Sequence, residues 1–169
     1  LHQAGVGVIL DWTPAHFPEE PEGMAAFDGT PLYENEDIRR KYHPMWGTLL
    51  FNFNSPMVKN FLIANALFWM KKYNMDGLRM DDVDAMLYLD YGRAQGEWVP
   101  NMYGTNENLD AVEFLKHLNS VVRREAPGFL LIAQEDGLWP ELTGEVDEEH
   151  LGFDYKWNRG WTEDFMDYI

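Results

Sequence analysis

Three short apolar stretches in this chain each end at a carboxylate or lie within two residues of one. They run from Gly5 to Asp11, from Gly77 to Asp81, and from Phe129 to Ala133, which is followed by Gln134 and Glu135. Short stretches that are apolar on both faces are typical of parallel strands buried under helices. Because the carboxyl ends of parallel strands meet at one edge of a sheet, we expect the acids to share one rim.

Helical patterns separate these strands. The first predicted helix begins at Ser55, an N-cap residue followed by proline, and continues to Tyr73. The second begins near Leu109 and ends before Pro127, and a last strand is predicted over 152–157. The order strand, helix, strand, helix, strand, strand predicts βαβ units in a parallel sheet, either a barrel or a doubly wound sheet. No G-x-G-x-x-G motif follows a strand, which argues against a dinucleotide site.

Long segments follow the first two strands. One runs from Trp12 to about Ser55, and the other from Asp82 to about Gly104. Segments of this length in a compact domain usually carry function, and in a β/α barrel the loops after the strands build the active site. The sequence therefore predicts a functional site at the carboxyl ends of the strands.

The charge of the chain limits its partners. Lys and Arg number 13 against 29 Asp and Glu, a formal net charge of -16. Such a chain repels phosphate backbones and anionic lipids, so we expect neither nucleic acid nor membrane partners. Cysteine is absent, which fits a reducing compartment such as the cytoplasm. The five histidines are scattered without an H-x-x-x-H pair, so we predict no metal site.

Asp81 has the strongest local case for chemistry. Side chains alternate along a strand, so Arg79 and Asp81 face the same side. A guanidinium beside a carboxylate favours its ionised form, as a nucleophile requires, although the same pair is often only structural. Two carboxylates at one rim suit retaining glycoside chemistry, in which one attacks the anomeric carbon and the other transfers protons. His16, five residues after Asp11, is a candidate donor to a sugar hydroxyl.

Several ordered motifs run through the chain. Three of them are Gly7–Phe17 (GVILDWTPAHF), Asp76–Asp81 (DGLRMD) and Ile132–Asp136 (IAQED). Further motifs lie between and after them: Phe27–Thr30 (FDGT), Leu32–Glu34 (LYE), Trp46–Leu49 (WGTL), Glu97–Asn101 (EWVPN), Leu151–Asn158 (LGFDYKWN) and Gly160–Trp161 (GW). In this order the motifs resemble those of 1,4-α-glucan branching enzymes of the α-amylase superfamily, and the first three fall at the first, second and third conserved regions of that superfamily.

This resemblance implies an α/β fold, a partial (β/α)8 barrel with about strands three to six and long βα loops. It implies that Asp81 is the nucleophile, that Arg79 is its partner, and that Asp11 and His16 hold the rim and the substrate. The implied reaction cuts an α-1,4-glucan and rejoins it by an α-1,6 bond, without a cofactor. Hydrolysis of the same glucan is the alternative.

The third region departs from the family pattern. Gln134 directly follows Ala133, at the position where the family has its acid/base, and Glu135 comes next. A neutral amide cannot transfer a proton, so this register implies a glucan-binding relative with impaired catalysis. A one-residue shift through a bulge makes Glu135 the acid, with Gln134 as a substrate-binding residue, and this is the version that we favour.

Both ends of the chain look like the middle of a longer one. The first five residues read as the end of a helix and Thr162–Ile169 as the beginning of another. We therefore expect residues 1–169 to be a fragment of a single catalytic barrel domain that extends beyond both ends.

Overall fold

The computed structural model describes residues 1–137 and 139–169, except for the side chain of Arg159. The strands are β1 (Ile9–Trp12), β2 (His16–Phe17), β3 (Leu49–Leu50), β4 (Gly77–Met80), β5 (Leu130–Gln134) and β6 (Tyr155–Trp157). The helices are α1 (Ile38–Lys41), α2 (Pro56–Tyr73), α3 (Val83–Leu87), α4 (Leu109–Glu125) and α5 (Arg159–Tyr168). A single 3-10 turn, His2–Ala4, precedes β1.

A four-stranded parallel sheet carries the site. Its spatial order is β1-β4-β5-β6, and every neighbouring pair is parallel, as predicted from the alternation of strands and helices. The strands meet closely at Gly77, where an added Cβ would lie 2.9 Å from both the carbonyl oxygen and the Cβ of Leu130. Glycine at this position therefore lets β4 and β5 pair from their first residues.

Helices α2 and α4 connect the first three parallel strands, and their predicted bounds are confirmed to within two residues. Ser55 occupies the N-cap position of α2, but its side chain makes no capping hydrogen bond. The fully buried side chains of α4 and of the sheet form one core, and they include Leu78, Met80, Phe114, Leu115, Leu118 and Leu131. This core covers one face of the sheet and leaves the other face for the site.

The first and last parallel strands are shorter than predicted. β1 begins at Ile9 rather than Gly5, because Gly5 ends the 3-10 turn in the left-handed conformation with φ 70°. β6 begins at Tyr155 rather than Gly152, whose φ of 95° is also outside the strand region. The long segment after β1 holds a small antiparallel ribbon, β2 paired with β3, and the short helix α1. None of the described helices is long and apolar enough to cross a membrane.

Candidate active site

Polar side chains gather on the open face of the sheet, near the carboxyl ends of the strands. Asp11 pairs in register with Arg79, and Met80 pairs with Ala133. The next residues along these two strands are Asp81 and Gln134, so the register places them side by side. Because side chains alternate along a strand, all four polar residues face the same side.

The guanidinium of Arg79 connects three of these side chains. Its Nε donates to Asp11 Oδ1 at 2.8 Å, and its Nη1 donates to Asp81 Oδ1 at 2.9 Å. The same Nη1 donates to Gln134 Oε1 at 2.9 Å. The Trp157 ring lies beneath the guanidinium, with its centroid 5.5 Å from Cζ. Arg79 thus holds the nucleophile candidate in place through a charge-assisted hydrogen bond.

The shared nitrogen sets an upper limit on the distance between Asp81 Oδ1 and Gln134 Oε1. Each has an oxygen 2.9 Å from the same nitrogen, so the two oxygens are less than about 6 Å apart. Retaining glycosidases place their two carboxyl groups about 5–5.5 Å apart. The upper limit on the separation between these Asp81 and Gln134 oxygens is therefore compatible with such a pair.

Glu135 lies on the opposite face of the sheet and is fully buried. Its side chain accepts a hydrogen bond from Lys156 Nζ, which also donates to the carbonyl oxygen of Gly137 at 2.9 Å. Burial raises the pKa of the Glu135 carboxyl, and Asp84 raises it further, whereas the Lys156 ammonium lowers it. The pair is therefore part of the packed layer behind the site.

The expected slip at the end of β5 is not seen. Ile132, Ala133 and Gln134 pair consecutively with the three residues of β6, so the ladder is regular through Gln134. Alternation then turns Glu135 away from Arg79 and toward Lys156, which pairs with Ala133. The predicted bulge, which would have brought Glu135 into the acid position, is therefore not present in this described stretch. The side-chain hydrogen bonds of Arg79 among the described residues go to Asp11, Asp81 and Gln134, and none goes to Glu135.

Asp84 ties the loop after β5 to helix α3. Its two carboxylate oxygens accept hydrogen bonds from the backbone N–H groups of Asp136, at 2.9 Å, and Gly137, at 3.0 Å. An added Cβ on Gly137 would lie 2.5 Å from Glu135 Oε1 and 3.0 Å from Asp84 Oδ1. The loop therefore passes close over two carboxylates, and glycine is the residue that fits.

His16 lies in β2 within a small aromatic cluster at the rim. Its ring centroid is 4.9 Å from that of Trp46 and 5.2 Å from that of His43. Its Nε2 is buried without a hydrogen-bond partner among the described residues, and Asp82 Oδ2 is 3.9 Å away. Burial lowers the pKa of His16, while the charge of Asp81 opposes this. The imidazole is therefore neutral at pH 7, and it lies close enough to Asp81 for the charge of that carboxylate to affect its pKa.

His43 braces the same rim. Its Nδ1 accepts from the backbone N–H groups of Met45 and Trp46, each at 3.3 Å, which leaves Nε2 to donate to Asp82 Oδ2 at 2.8 Å. Burial lowers the pKa of His43 to about 4, in agreement with this neutral tautomer. Asp82 itself has a left-handed backbone with φ 58°, which turns the chain from β4 into α3. Among the described residues, no group of three or more His, Cys, Asp or Glu is placed to hold a metal ion.

The structure thus brings together four of the six residues predicted from the sequence: Asp11, Arg79, Asp81 and Gln134. His16 is nearby, and Glu135 is on the other face. The sequence analysis gave no role to His43, or to Lys156 and Trp157, which it included only as part of a longer motif. The alternation of side chains along β6 could have placed Lys156 and Trp157 on opposite faces of the sheet. His43 lies in a loop, where the sequence has no such periodic pattern.

Replacing Lys156 by Met is expected to destabilise the full-length protein by about 3 kcal/mol, because it leaves the buried Glu135 carboxylate unpaired. The matched control is Lys71→Met, which breaks the exposed pair with Glu125 at 2.5 Å and should change stability by less than about 1 kcal/mol. Urea unfolding followed by tryptophan fluorescence at pH 7 measures both. Adding Glu135→Leu to Lys156→Met should restore part of the loss. Equal effects of the two lysine variants would contradict a structural role for the buried pair.

The fold of the chain is that of part of a β/α barrel, as found in solved α-amylases. Its structure is similar to a maltogenic α-amylase, AmyB, from Thermotoga neapolitana, with a TM-score of 0.62 at 13% identity, over 99% of this chain and 31% of that one. It is also similar to an α-amylase from Geobacillus thermoleovorans solved with acarbose, with a TM-score of 0.58 at 17% identity, over 92% of this chain and 31% of the other. The predicted α/β class and partial barrel are confirmed.

In sequence, the chain is similar over its whole length to 1,4-alpha-glucan branching enzymes, GlgB. It is 57% identical to that of Butyrivibrio fibrisolvens over 169 residues and 55% identical to that of Rubrobacter xylanophilus over the same length. It spans 26% and 23% of these two relatives, so about a quarter of their length. No family model matches the chain. The resemblance to branching enzymes, predicted from the ordered motifs, is confirmed.

Proposed function

We propose that the full-length protein binds α-1,4-glucan at the carboxyl rim of the sheet and transfers a glucan segment to form an α-1,6 branch. The observation that carries this proposal is the shared Arg79 nitrogen, which keeps an oxygen of Asp81 and an oxygen of Gln134 within about 6 Å of each other, a range that includes the spacing of a retaining pair. The names of the relatives, 1,4-alpha-glucan branching enzyme, supply the reaction. The absence of cysteine supports a reducing location such as the cytoplasm.

In this proposal Asp81 is the nucleophile. Its carboxylate attacks the anomeric carbon, the C1–O bond to the original chain breaks, and a glycosyl ester forms on Asp81. The departing glucan oxygen takes its proton from water, since the Gln134 amide cannot give one, and this step is therefore slow. Arg79 orients the carboxylate and balances its charge, and Asp11 in turn holds Arg79. His16, neutral and half-buried at the rim, donates to a sugar hydroxyl. A hydroxyl of a second glucan chain then attacks C1, the C1–O bond to Asp81 breaks, the hydroxyl proton passes to water, and the α-1,6 branch is made.

We further propose that residues 1–169 are one part of a single catalytic barrel domain. In the part of the chain that the structure describes, the strands at the two ends of the sheet, β1 and β6, have hydrogen-bonded neighbours on one side only. The chain also spans about a quarter of its curated relatives. Unpaired strand edges of this kind need further strands to pair with, and the rest of the barrel supplies them.

Gln134 favours a second candidate, a glucan-binding protein with impaired catalysis. Glu135 is the acid that we predict from the sequence, but it is buried behind the sheet and paired with Lys156. The geometry thus supports a positioning role for Glu135, in which it anchors the end of β5 so that Gln134 faces Asp81. The prediction that Glu135 is the acid stays a prediction, with its contacts weighing against it.

Incubation of the full-length protein with amylose separates these functions. Branch points, counted after debranching, should accumulate slowly and without matching release of reducing ends. New reducing ends without branch points would show that the protein hydrolyses the glucan and does not transfer it. If amylose binds but stays unbranched after long incubation at high protein concentration, the protein is a glucan-binding protein and not a transferase.

A further inference from the structure

We propose that this site reacts rapidly with α-glycosyl donors whose leaving group needs no protonation, and that a glycosyl ester then accumulates on Asp81. Donors of this class include α-maltooligosaccharyl fluorides. The proposal rests on the proposed role of Asp81 as nucleophile and adds which half of the chemistry the site retains.

The orientation of the Gln134 amide carries the first step. Its oxygen accepts the hydrogen bond from Arg79 Nη1, so its NH2 group points away from the guanidinium. The amide can donate a hydrogen bond to an oxygen of the substrate but cannot give up a proton, since it has no ionisable group near neutral pH. The position that faces Asp81 therefore binds without acid or base catalysis.

Among the described residues, the neighbouring titratable groups do not replace that acid. Asp11 accepts from Arg79 Nε at 2.8 Å, whereas Asp81 and Gln134 accept from a different nitrogen, Nη1. Burial lowers the pKa of His16, and its Nε2 is itself buried, so that nitrogen is not placed to exchange a proton with a substrate oxygen. Asp82 accepts from His43, and Glu135 accepts from Lys156 behind the sheet. Proton transfer is thus the step that this arrangement lacks, while nucleophilic attack is retained.

A fluoride donor avoids that step. An Asp81 oxygen attacks C1, the C1–F bond breaks, and fluoride leaves with the bonding electrons, so no proton is transferred. The product is a β-glycosyl ester of Asp81. Its breakdown by water or a sugar hydroxyl requires a base to take a proton, which Gln134 cannot do, so the ester accumulates. An anion such as azide needs no base: its nitrogen attacks C1, the C1–O bond breaks, and the Asp81 carboxylate is regenerated with release of an α-glycosyl azide.

The experiment uses the full-length protein and α-maltotriosyl fluoride. Intact mass spectrometry should show the addition of one maltotriosyl group, and peptide mapping should place it on Asp81. Azide should remove the adduct, raise the steady-state release of fluoride at least about tenfold, and yield the α-glycosyl azide. Asp81→Asn should show neither adduct nor azide effect. In Gln134→Glu the adduct should not accumulate and azide should not accelerate release, because the carboxylate supplies its own base.

Two results separate failure of this inference from failure of the proposed function. Wild-type protein that branches amylose as fast as Gln134→Glu, with no adduct and no azide effect, would overturn the inference and leave the branching function intact. If neither wild-type protein nor Gln134→Glu released fluoride or branched amylose, both would be overturned. Adduct on wild-type protein that persists in Asp81→Asn would also overturn the inference, since the nucleophile would be another group.

Discussion

Asp81→Asn in the full-length protein should lower the release of fluoride from α-maltotriosyl fluoride by about 10⁴-fold or more, since removal of a catalytic nucleophile costs factors of this size. The amide keeps the shape of Asp81 and can still accept from Arg79 Nη1, 2.9 Å away, so the site should retain its geometry and lose its attacking group. Initial rates from a fluoride electrode measure the effect.

The matched control for this variant is Asp167→Asn, the same chemical change on the exposed face of α5. It should leave the rate within about twofold of wild type, as surface substitutions usually do. Amylose binding by Asp81→Asn should persist, which separates loss of chemistry from loss of fold. A rate loss smaller than about tenfold would place the nucleophile elsewhere.

Gln134→Glu should raise the rate of branching on amylose by about 10²–10⁴-fold, the range that general acid and base catalysis contributes. The new carboxyl group would share the Arg79 nitrogen with Asp81, with the two oxygens within about 6 Å of each other, a range that includes the spacing of a retaining pair. Branch points formed per hour, counted after debranching, report the rate. The pH–rate profile of the variant should also gain a falling limb at high pH, where the new acid loses its proton.

Gln3→Glu, at an exposed position of the first turn, adds the same charge and should leave the branching rate unchanged. A second comparison decides between residues 134 and 135. If Gln134→Glu raised the rate by less than about tenfold while Glu135→Gln abolished the wild-type activity, the acid would be Glu135. Rescue in Gln134→Glu with the new pH limb assigns it to residue 134.

The parts of the fold that follow from local chemistry were predictable from the sequence. Helix α2 begins at Pro56 after a hydroxyl N-cap position, and its last turn carries Lys71 and Lys72, so propensity and charge agree. Helix α4 buries one face with regular spacing. The parallel sheet followed from the order of these elements. The ends of the strands were harder, because Gly5 and Gly152 adopt left-handed backbone conformations that composition alone does not reveal.

The two candidate acids show the limit of reasoning from sequence at a strand end. A shift of one residue turns a side chain to the other face of the sheet, so the choice between Gln134 and Glu135 depends on register. That register is fixed by pairing with β6, a strand of three residues with no strong pattern of its own. Lys156 and Asp84, whose contacts hold Glu135 behind the sheet, are far from it in sequence. The sequence around Glu135 therefore gives no sign that Lys156 and Asp84 are its partners.

The shared nitrogen of Arg79 has an evolutionary consequence. A carbonyl oxygen of an amide and a carboxylate oxygen accept from it in the same way, so residue 134 can change between Gln and Glu without repacking its neighbours. The codons of these two amino acids differ by one nucleotide. A lineage that carries this chain is therefore one mutation away from a carboxyl group at residue 134, and selection for folding alone would not distinguish the two alleles.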